Sequence, residues 1–291
     1  MELIKNTAVI IRSSGERTEG LCRYAIEKNG VPKENIHFVK NVKPFSQALK
    51  TGYELAIDLD KKYTFFIDAD MVVMEDALSM MLQIAERLPS NTFFFNPLTF
   101  DCFSGAIVPG GVHLYRNKYI CKILENVRSE AITKRPETHA VKKFSNEDEH
   151  KIVFLDIPVG FHEFEQYYKD IFGRVVNKMQ KTGNARGILT RIANDKNEFI
   201  GDLYVIKKAV EFAKGNKTKF NLLAGEFDDI FSKECDLEEK KPILEKNFDI
   251  LLASMKLQSE SFVLRGYTAQ LLIKESVERK SIFKKIITRL T

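Results

Sequence analysis

The stretch Tyr63-Thr64-Phe65-Phe66-Ile67-Asp68-Ala69-Asp70-Met71-Val72-Val73 decides how this chain is read. Its aromatic and β-branched run has the composition of a buried strand, and two carboxylates stand one residue apart at its C-terminal end. In an open α/β sheet, ligands bind outside the carboxyl ends of the strands. Carboxylates rarely sit beside a buried strand unless they are paired or hold a metal. Asp68 and Asp70 are therefore candidate ligands for a hard divalent cation, Mg2+ or Mn2+, of the kind that carries phosphates. A strand running into a polar turn would read the same way, because Asp is common in turns.

The segments before this strand give it a context. Thr7-Ala8-Val9-Ile10-Ile11 is a short apolar strand, followed by the polar loop Arg12-Ser13-Ser14-Gly15-Glu16-Arg17-Thr18. Leu21, Tyr24, Ala25 and Ile26 recur at helical spacing, and Gly30 with Pro32 marks the stop. Ile36-His37-Phe38-Val39 reads as a second strand and Phe45 to Leu59 as a second helix. This order of strands and helices implies a parallel sheet with crossover helices. The loop after the first strand offers Arg12, Ser13, Ser14, Arg17 and Thr18 as donors, with Gly15 permitting close backbone approach. It matches neither a GxGxxG nor a Walker A pattern, and a solvated loop with a helix cap is the alternative.

Beyond Asp70, a helix is expected over Glu75 to Leu88 and a strand at Thr92-Phe93-Phe94-Phe95. The glycines and proline of Asp101 to Leu114 suit a flexible loop leading into a strand at Val112-His113-Leu114-Tyr115, and Tyr119 to Val127 suggests another helix. From Ser129 to Lys151 the chain turns polar, which suggests a mobile loop or lid; its acids, including Glu137 and Asp148, are either a solvated charge run or hold a general base. A buried strand from Ile152 runs into Pro158 and Gly160, leaving His162 at a loop-to-helix junction beside Glu163 and Glu165. Such a histidine can complete a metal site begun by two aspartates, or it can simply cap or stack. Helices are expected at Phe199 to Lys214, Leu237 to Leu257 and Val263 to Leu290. The last of these ends in the basic amphipathic tail Ser281 to Leu290, suited to helix packing, an oligomer contact or a membrane surface.

With 291 residues, 44% hydrophobic and 29% charged, the chain is long enough for a sizeable core and has an ordinary globular composition. No apolar run reaches the ~18 residues of a membrane span, and the N-terminus lacks a signal-peptide pattern, so a cytoplasmic protein is expected. Cys22, Cys102, Cys121 and Cys235 lack CxxC spacing, which points to reduced thiols and away from zinc fingers. A net charge of +5 is too mild and dispersed to indicate nucleic-acid binding.

Taken together, the first strand with its Arg12-to-Thr18 loop, two βα units, Asp68-Ala69-Asp70 and the downstream His162 resemble the GT-A glycosyltransferases. The resemblance spans about residues 7–168. It implies an α/β fold with a GT-A-like, Rossmann-type, mainly parallel sheet and flanking helices. A catalytic domain would occupy residues 1–175, and a mostly helical C-terminal region, 176–291, would serve acceptor, oligomer or membrane contacts. In such enzymes a metal on the Asp-x-Asp motif holds the donor diphosphate. The resemblance thus implies Asp68, Asp70 and His162 as metal ligands and Arg12, Ser13, Arg17 and Asp68 as nucleotide contacts. The expected cofactor is Mn2+ or Mg2+ and the expected donor a UDP, GDP or CDP sugar. A glycan or lipid-linked acceptor in surface polysaccharide synthesis, at the inner face of the membrane, completes the expectation. Asp101, Glu137, Asp148 and Glu163 are the candidate bases, and no residue pattern chooses among them.

Two other readings stand beside this one. Phe66 to Val72 also resembles the strand-plus-DxDx[TV] nucleophile motif of haloacid-dehalogenase-type phosphatases, although that motif usually lies on the first strand. Sugar nucleotidyltransferases share the scaffold, but the Gly-rich basic loop expected after their first strand is missing. A GT-like assembly partner without activity is the non-enzyme alternative.

Overall fold

The computed structural model describes residues 2–103, 105–129, 131–133, 135–147, 150–182, 200–216 and 226–257. Packing divides the chain into a unit from Met1 to Phe248 and a second from Asp249 to Thr291. The described part of the second, residues 249–257, is helical. The helix expected over Val263 to Leu290, with its basic tail, and the candidate base Asp148 lie outside the described residues.

The first unit is built on an eight-stranded mixed sheet. Its strands are β1 (Thr7–Ser13), β2 (Ile36–Lys40), β3 (Tyr63–Asp68), β4 (Met71–Val73), β5 (Thr92–Asp101), β6 (Ala106–Pro109), β7 (Val112–Arg116) and β8 (Lys151–His162). The order across the sheet is β2-β1-β3-β7-β5-β8-β4, with β6 paired to β5. β1 pairs in parallel with both β2 and β3, and β5 in parallel with β8; β7 lies antiparallel between β3 and β5. The principal strands β2, β1, β3, β5 and β8 thus share one direction, the mainly parallel α/β architecture that the sequence implies.

Helices α1 (Glu2–Lys5), α2 (Glu19–Lys28), α3 (Phe45–Leu59), α4 (Ala77–Arg87) and α5 (Ile120–Leu124) flank this sheet. All seven residues of β1 are buried, as a central strand between two parallel neighbours requires. The chain leaves β1 through α2 to reach β2 on one side, then returns through α3 to β3 on the other. That reversal leaves the carboxyl ends of β1 and β3 side by side, the position where open α/β sheets bind ligands. Two bonds to the Ala69 backbone fix the junction: Ala69 N donates to the Arg12 carbonyl (2.9 Å), and the Thr18 hydroxyl donates to the Ala69 carbonyl (2.9 Å).

Four expectations are corrected. The polar stretch read as a mobile lid contains α6 (Pro136–Glu147). Glu137, Ala140, Val141 and Phe144 recur at helical spacing on its inner face and are buried, the last three in a core with Ile10, Phe66, Tyr115 and α3 and α5. The composition is polar because only one stripe of this helix meets the sheet. Second, a strand, β6, forms within the loop expected between Asp101 and Leu114, as a hairpin on β5. Third, β8 continues through Pro158 and Gly160, so His162 is the last residue of a strand instead of the start of a helix junction. Proline fits because Asp156 and Ile157 bulge out where Pro97 pairs Leu155 and Leu98 pairs Pro158, and bulges are where strands tolerate Pro. Gly160 fits because a Cβ there would lie 2.5 Å from the Val72 carbonyl oxygen. Fourth, the helix expected from Leu237 begins only at residue 248, after a 3-10 turn at Glu245–Asn247; Pro242 denies the preceding segment a continuous helical ladder.

The C-terminal part of this unit is helical. Helices α7 (Tyr168–Thr182), α8 (Ile200–Gly215) and α9 (Glu226–Glu234) bury a second apolar cluster of Ile171, Phe172, Val176, Val205, Ala209 and Phe231, among others. Glu239 caps α7, accepting from the backbone N–H of Tyr168 (2.6 Å) and Lys169 (3.0 Å).

Because Phe144 is fully buried and packs edge-on against Phe93 (4.8 Å between centroids), α6 is part of the core. Phe144→Ala is expected to lower unfolding free energy in urea by about 3–5 kcal/mol. It should also raise hydrogen exchange across residues 136–147; an unchanged denaturation midpoint would make this segment the lid that its composition suggests.

Candidate functional site

Asp68 and Asp70 leave the end of β3 on opposite sides of a two-residue turn, and each meets a different set of partners. Asp68, the last residue of β3, turns toward β1, where its Oδ1 accepts from Arg12 Nε at 2.8 Å. Arg12 is only 5% exposed, and its Nη1 donates to Glu137 Oε2 at 3.1 Å. Glu137 Oε1 in turn lies 3.0 Å from His113 Nδ1 and accepts from the Tyr115 hydroxyl at 2.9 Å, and Tyr115 is 3.0 Å from the Tyr53 hydroxyl. A buried polar chain thus links β3, β1, α6, β7 and α3. Burial alone would raise Glu137, but Arg12 and His113 outweigh it and hold the carboxyl well below the ordinary range. Burial alone would lower Arg12, and Asp68 and Glu137 reverse that, keeping it charged.

Asp70 meets β8. Met71 at the start of β4 pairs with His162, and the Glu163 N–H donates to the Asp70 carbonyl at 2.9 Å. This pairing brings His162 Nε2 to 3.3 Å from Asp70 Oδ2, while His162 Nδ1 lies 3.2 Å from Asp101 Oδ2 at the end of β5. Glu163 takes a left-handed backbone conformation (φ 59°), a strained choice for a non-glycine residue and one that turns its side chain inward. Gly111 (φ 78°) crowds the same corner: a Cβ there would lie 2.5 Å from Met71 Sδ and 3.3 Å from His162 Cδ2. Asp70, His162 and Glu163 each offer a ligand atom within 4.8 Å of the others, the one such group found among the described residues. Asp70 Oδ1 is buried without a hydrogen bond, and the enclosed Glu163 carboxylate meets the Arg174 guanidinium. Oxygen and imidazole donors of this kind, converging at a strand terminus with Asp70 Oδ1 unpaired, fit a divalent cation.

The two aspartates differ electrostatically. Burial pushes the Asp68 carboxyl up against the pull of Arg12, whereas for Asp70 burial is outweighed by His162 and Arg174, so that it lies below its usual value. His162 is opposed by burial but raised to about 10 by Asp70 and Asp101.

The sequence-derived candidates therefore divide. Asp70, His162, Glu163 and Asp101 come together; Asp68 and Glu137 belong to the Arg12 chain. Ser13 is buried and bonded to Glu16 (2.9 Å) and Glu19, and Arg17 is engaged by Glu165 and by the Lys241 carbonyl (2.9 Å). Sequence reasoning missed Glu16, whose carboxyl is pushed up by burial with the Asp70 charge adding to it, and it missed His113 and Arg174. Nothing in the local pattern distinguishes these three, since each reaches the site through pairing or packing distant in sequence.

No family model matches the sequence, and no curated protein matches it. Several solved structures resemble it. A 4-diphosphocytidyl-2C-methyl-D-erythritol synthase from Anaerococcus prevotii is 11% identical over 53% of this chain and 90% of its own, with a TM-score of 0.38. A glycosyltransferase involved in glycosylation of the major capsid of PBCV-1 is 11% identical over 55% and 95%, with a TM-score of 0.37. A CMP:2-keto-3-deoxy-manno-octonic acid synthetase complexed with CTP is 8% identical over 53% and 90%, with a TM-score of 0.36. These likenesses extend over about half of the chain and carry no activity across to it. Among the described residues no helix is long and apolar enough to cross a membrane.

Glu137 titrates below its unfolded value, so its contribution to stability is present above the ordinary glutamate pKa and drains away as pH falls beneath it. Glu137→Gln should cost about 3 kcal/mol at neutral pH by leaving Arg12 under-compensated. It should also flatten the loss of stability below about pH 4.3. Urea unfolding at a series of pH values reads both effects; a parallel curve for the variant would remove Glu137 from the acid response.

Proposed function

We propose that this chain is a transferase acting on a nucleotide-linked sugar, a glycosyltransferase that uses a divalent cation, Mn2+ or Mg2+, held by Asp70, His162 and Glu163. The convergence of these three donors carries the reading, because it leaves Asp70 Oδ1 buried without a partner, a cost that a bound cation would offset. When bound, the metal supplies charge neutralisation for a departing diphosphate. The chain's own residues prepare for that role. Asp101 orients His162 from behind, as a carboxylate does for a metal-ligating imidazole, and the β4–β8 pairing fixes the spacing of Asp70 and His162. Arg12 is committed to Asp68 and Glu137, so it supports the floor of the site; direct nucleotide contacts from Ser13 and Arg17 require them to exchange their present partners. Asp68 shapes the nucleotide side of the site through the same ion pair.

Of the candidate bases, Glu137 is engaged by Arg12, His113 and Tyr115 and is held below its usual pKa, which suits a structural anion. Asp101 and Glu163 lie at the site itself. The phosphatase alternative needs Asp68 free to attack phosphorus, and its ion pair with Arg12 disfavours that role. A UDP, GDP or CDP sugar donor and a glycan or lipid-linked acceptor at the inner face of a membrane complete the proposal.

A thermal-shift screen of UDP, GDP and CDP, with and without Mn2+, tests it. One nucleotide is expected to raise the melting temperature only when Mn2+ is present, by mass action, and Asp70→Asn should abolish the shift. Transfer from the matching sugar nucleotide should fall at least about 100-fold in Asp70→Asn, since one positioned charge at a developing anion is worth roughly that factor. No metal-dependent shift with any of the three nucleotides would sink the proposal.

A further inference from the structure

The acid cluster already contains a cation. Arg174, in the second turn of α7, brings its guanidinium against the Glu163 carboxylate and to 4.0 Å from Asp101 Oδ2. The two partners of this contact are unequally placed. The Glu163 side chain is 0% exposed, whereas 39% of the Arg174 side chain reaches solvent, and its guanidinium lies 5.2 Å from the centre of the Phe103 ring. Glu163 cannot follow its partner outward, because its backbone N–H is bonded to the Asp70 carbonyl and its carboxylate is enclosed. A buried carboxylate that stays ionised needs a counter-charge. A guanidinium and a divalent ion cannot both press on one carboxylate without repelling each other across a few ångströms of poorly screened space.

We propose that Arg174 is a placeholder cation, which neutralises Glu163 and Asp101 while the site lacks a metal and swings outward along Phe103 when a divalent ion takes Glu163. The exchange rests on the metal reading of Asp70, His162 and Glu163 given above. It is inexpensive on the arginine side, since the long aliphatic stem keeps its packing while the charged head moves to water. Its consequence is competition: the arginine weakens the metal's hold by however much its own contact with the carboxylates is worth.

Isothermal titration of Mn2+ into the full chain, without nucleotide, measures this competition. Arg174→Met keeps the stem and removes the charge, and it should bind Mn2+ on the order of tenfold more tightly than the unaltered protein, within the usual range of coupling between two ligands of one site. Arg174→Lys restores a cation and should return the affinity to within about threefold of the original, a reversal that repacking of α7 alone would not produce. Mn2+ should also raise the melting temperature of Arg174→Met by more than that of the unaltered chain. Equal or weaker Mn2+ binding by Arg174→Met, beside Asp70-dependent binding by the unaltered protein, overturns the exchange and leaves the metal site standing. Absence of Mn2+ binding in the unaltered protein and in Arg174→Met alike, with Asp70→Asn no different, overturns both.

Discussion

A guanidinium that is 5% exposed must be surrounded by anions, and Arg12 meets that demand by drawing three elements together. Asp68 comes from the end of β3 and Glu137 from α6, while Arg12 itself stands near the end of β1. Glu137 then takes up His113 and Tyr115 of β7, so one buried charge specifies how a crossover sheet, an antiparallel strand and a helix meet. Removing any one member leaves the others uncompensated in a poorly screened interior, which makes the network specify geometry more strongly than it adds stability. The carboxyl ends of β1 and β3 are held together by it.

The two carboxylates of Asp68-Ala69-Asp70 illustrate how a turn assigns chemistry. Successive positions of a strand point to opposite faces, but here the strand breaks at Ala69 and restarts as β4 beside β8. Asp68 belongs to the outgoing strand and is spent on a structural ion pair. Asp70 belongs to the incoming one and is presented to His162 and Glu163, with Asp101 behind the imidazole. The acidic motif is therefore divided between a buried scaffold and an acid–histidine cluster, whose other members are His162 at the end of β8 and Glu163 just after it.

Much of this was legible in the chain. The strand at Tyr63, the helix from Phe45 to Leu59 and the order of alternating elements follow from apolar periodicity, because a parallel sheet buries its strands and demands that pattern. Asp70 and His162 were visible as candidate ligands, and Asp101 and Glu163 as two of four candidate bases, each with a bland alternative beside it. The α6 helix was misread because Glu137, Ala140, Val141 and Phe144 form a narrow stripe in an otherwise polar segment, and average composition hides a stripe. Arg174 was invisible for a different reason: on a helix whose neighbours Ile171, Phe172 and Val175 face the core, nothing local marks it as aimed at an acid cluster.

By itself the sequence determined the class of fold and the strand that bears the acids, because each follows from local hydrophobic pattern. The tertiary structure alone decided which acid does what. Asp68 and Asp70 are chemically identical and two residues apart, so their separation into an arginine-bound anchor and a histidine-facing carboxylate depends on β1 lying on one side and β8 on the other. Strand register is a long-range property, set by the packing of the whole sheet, and no local pattern records it.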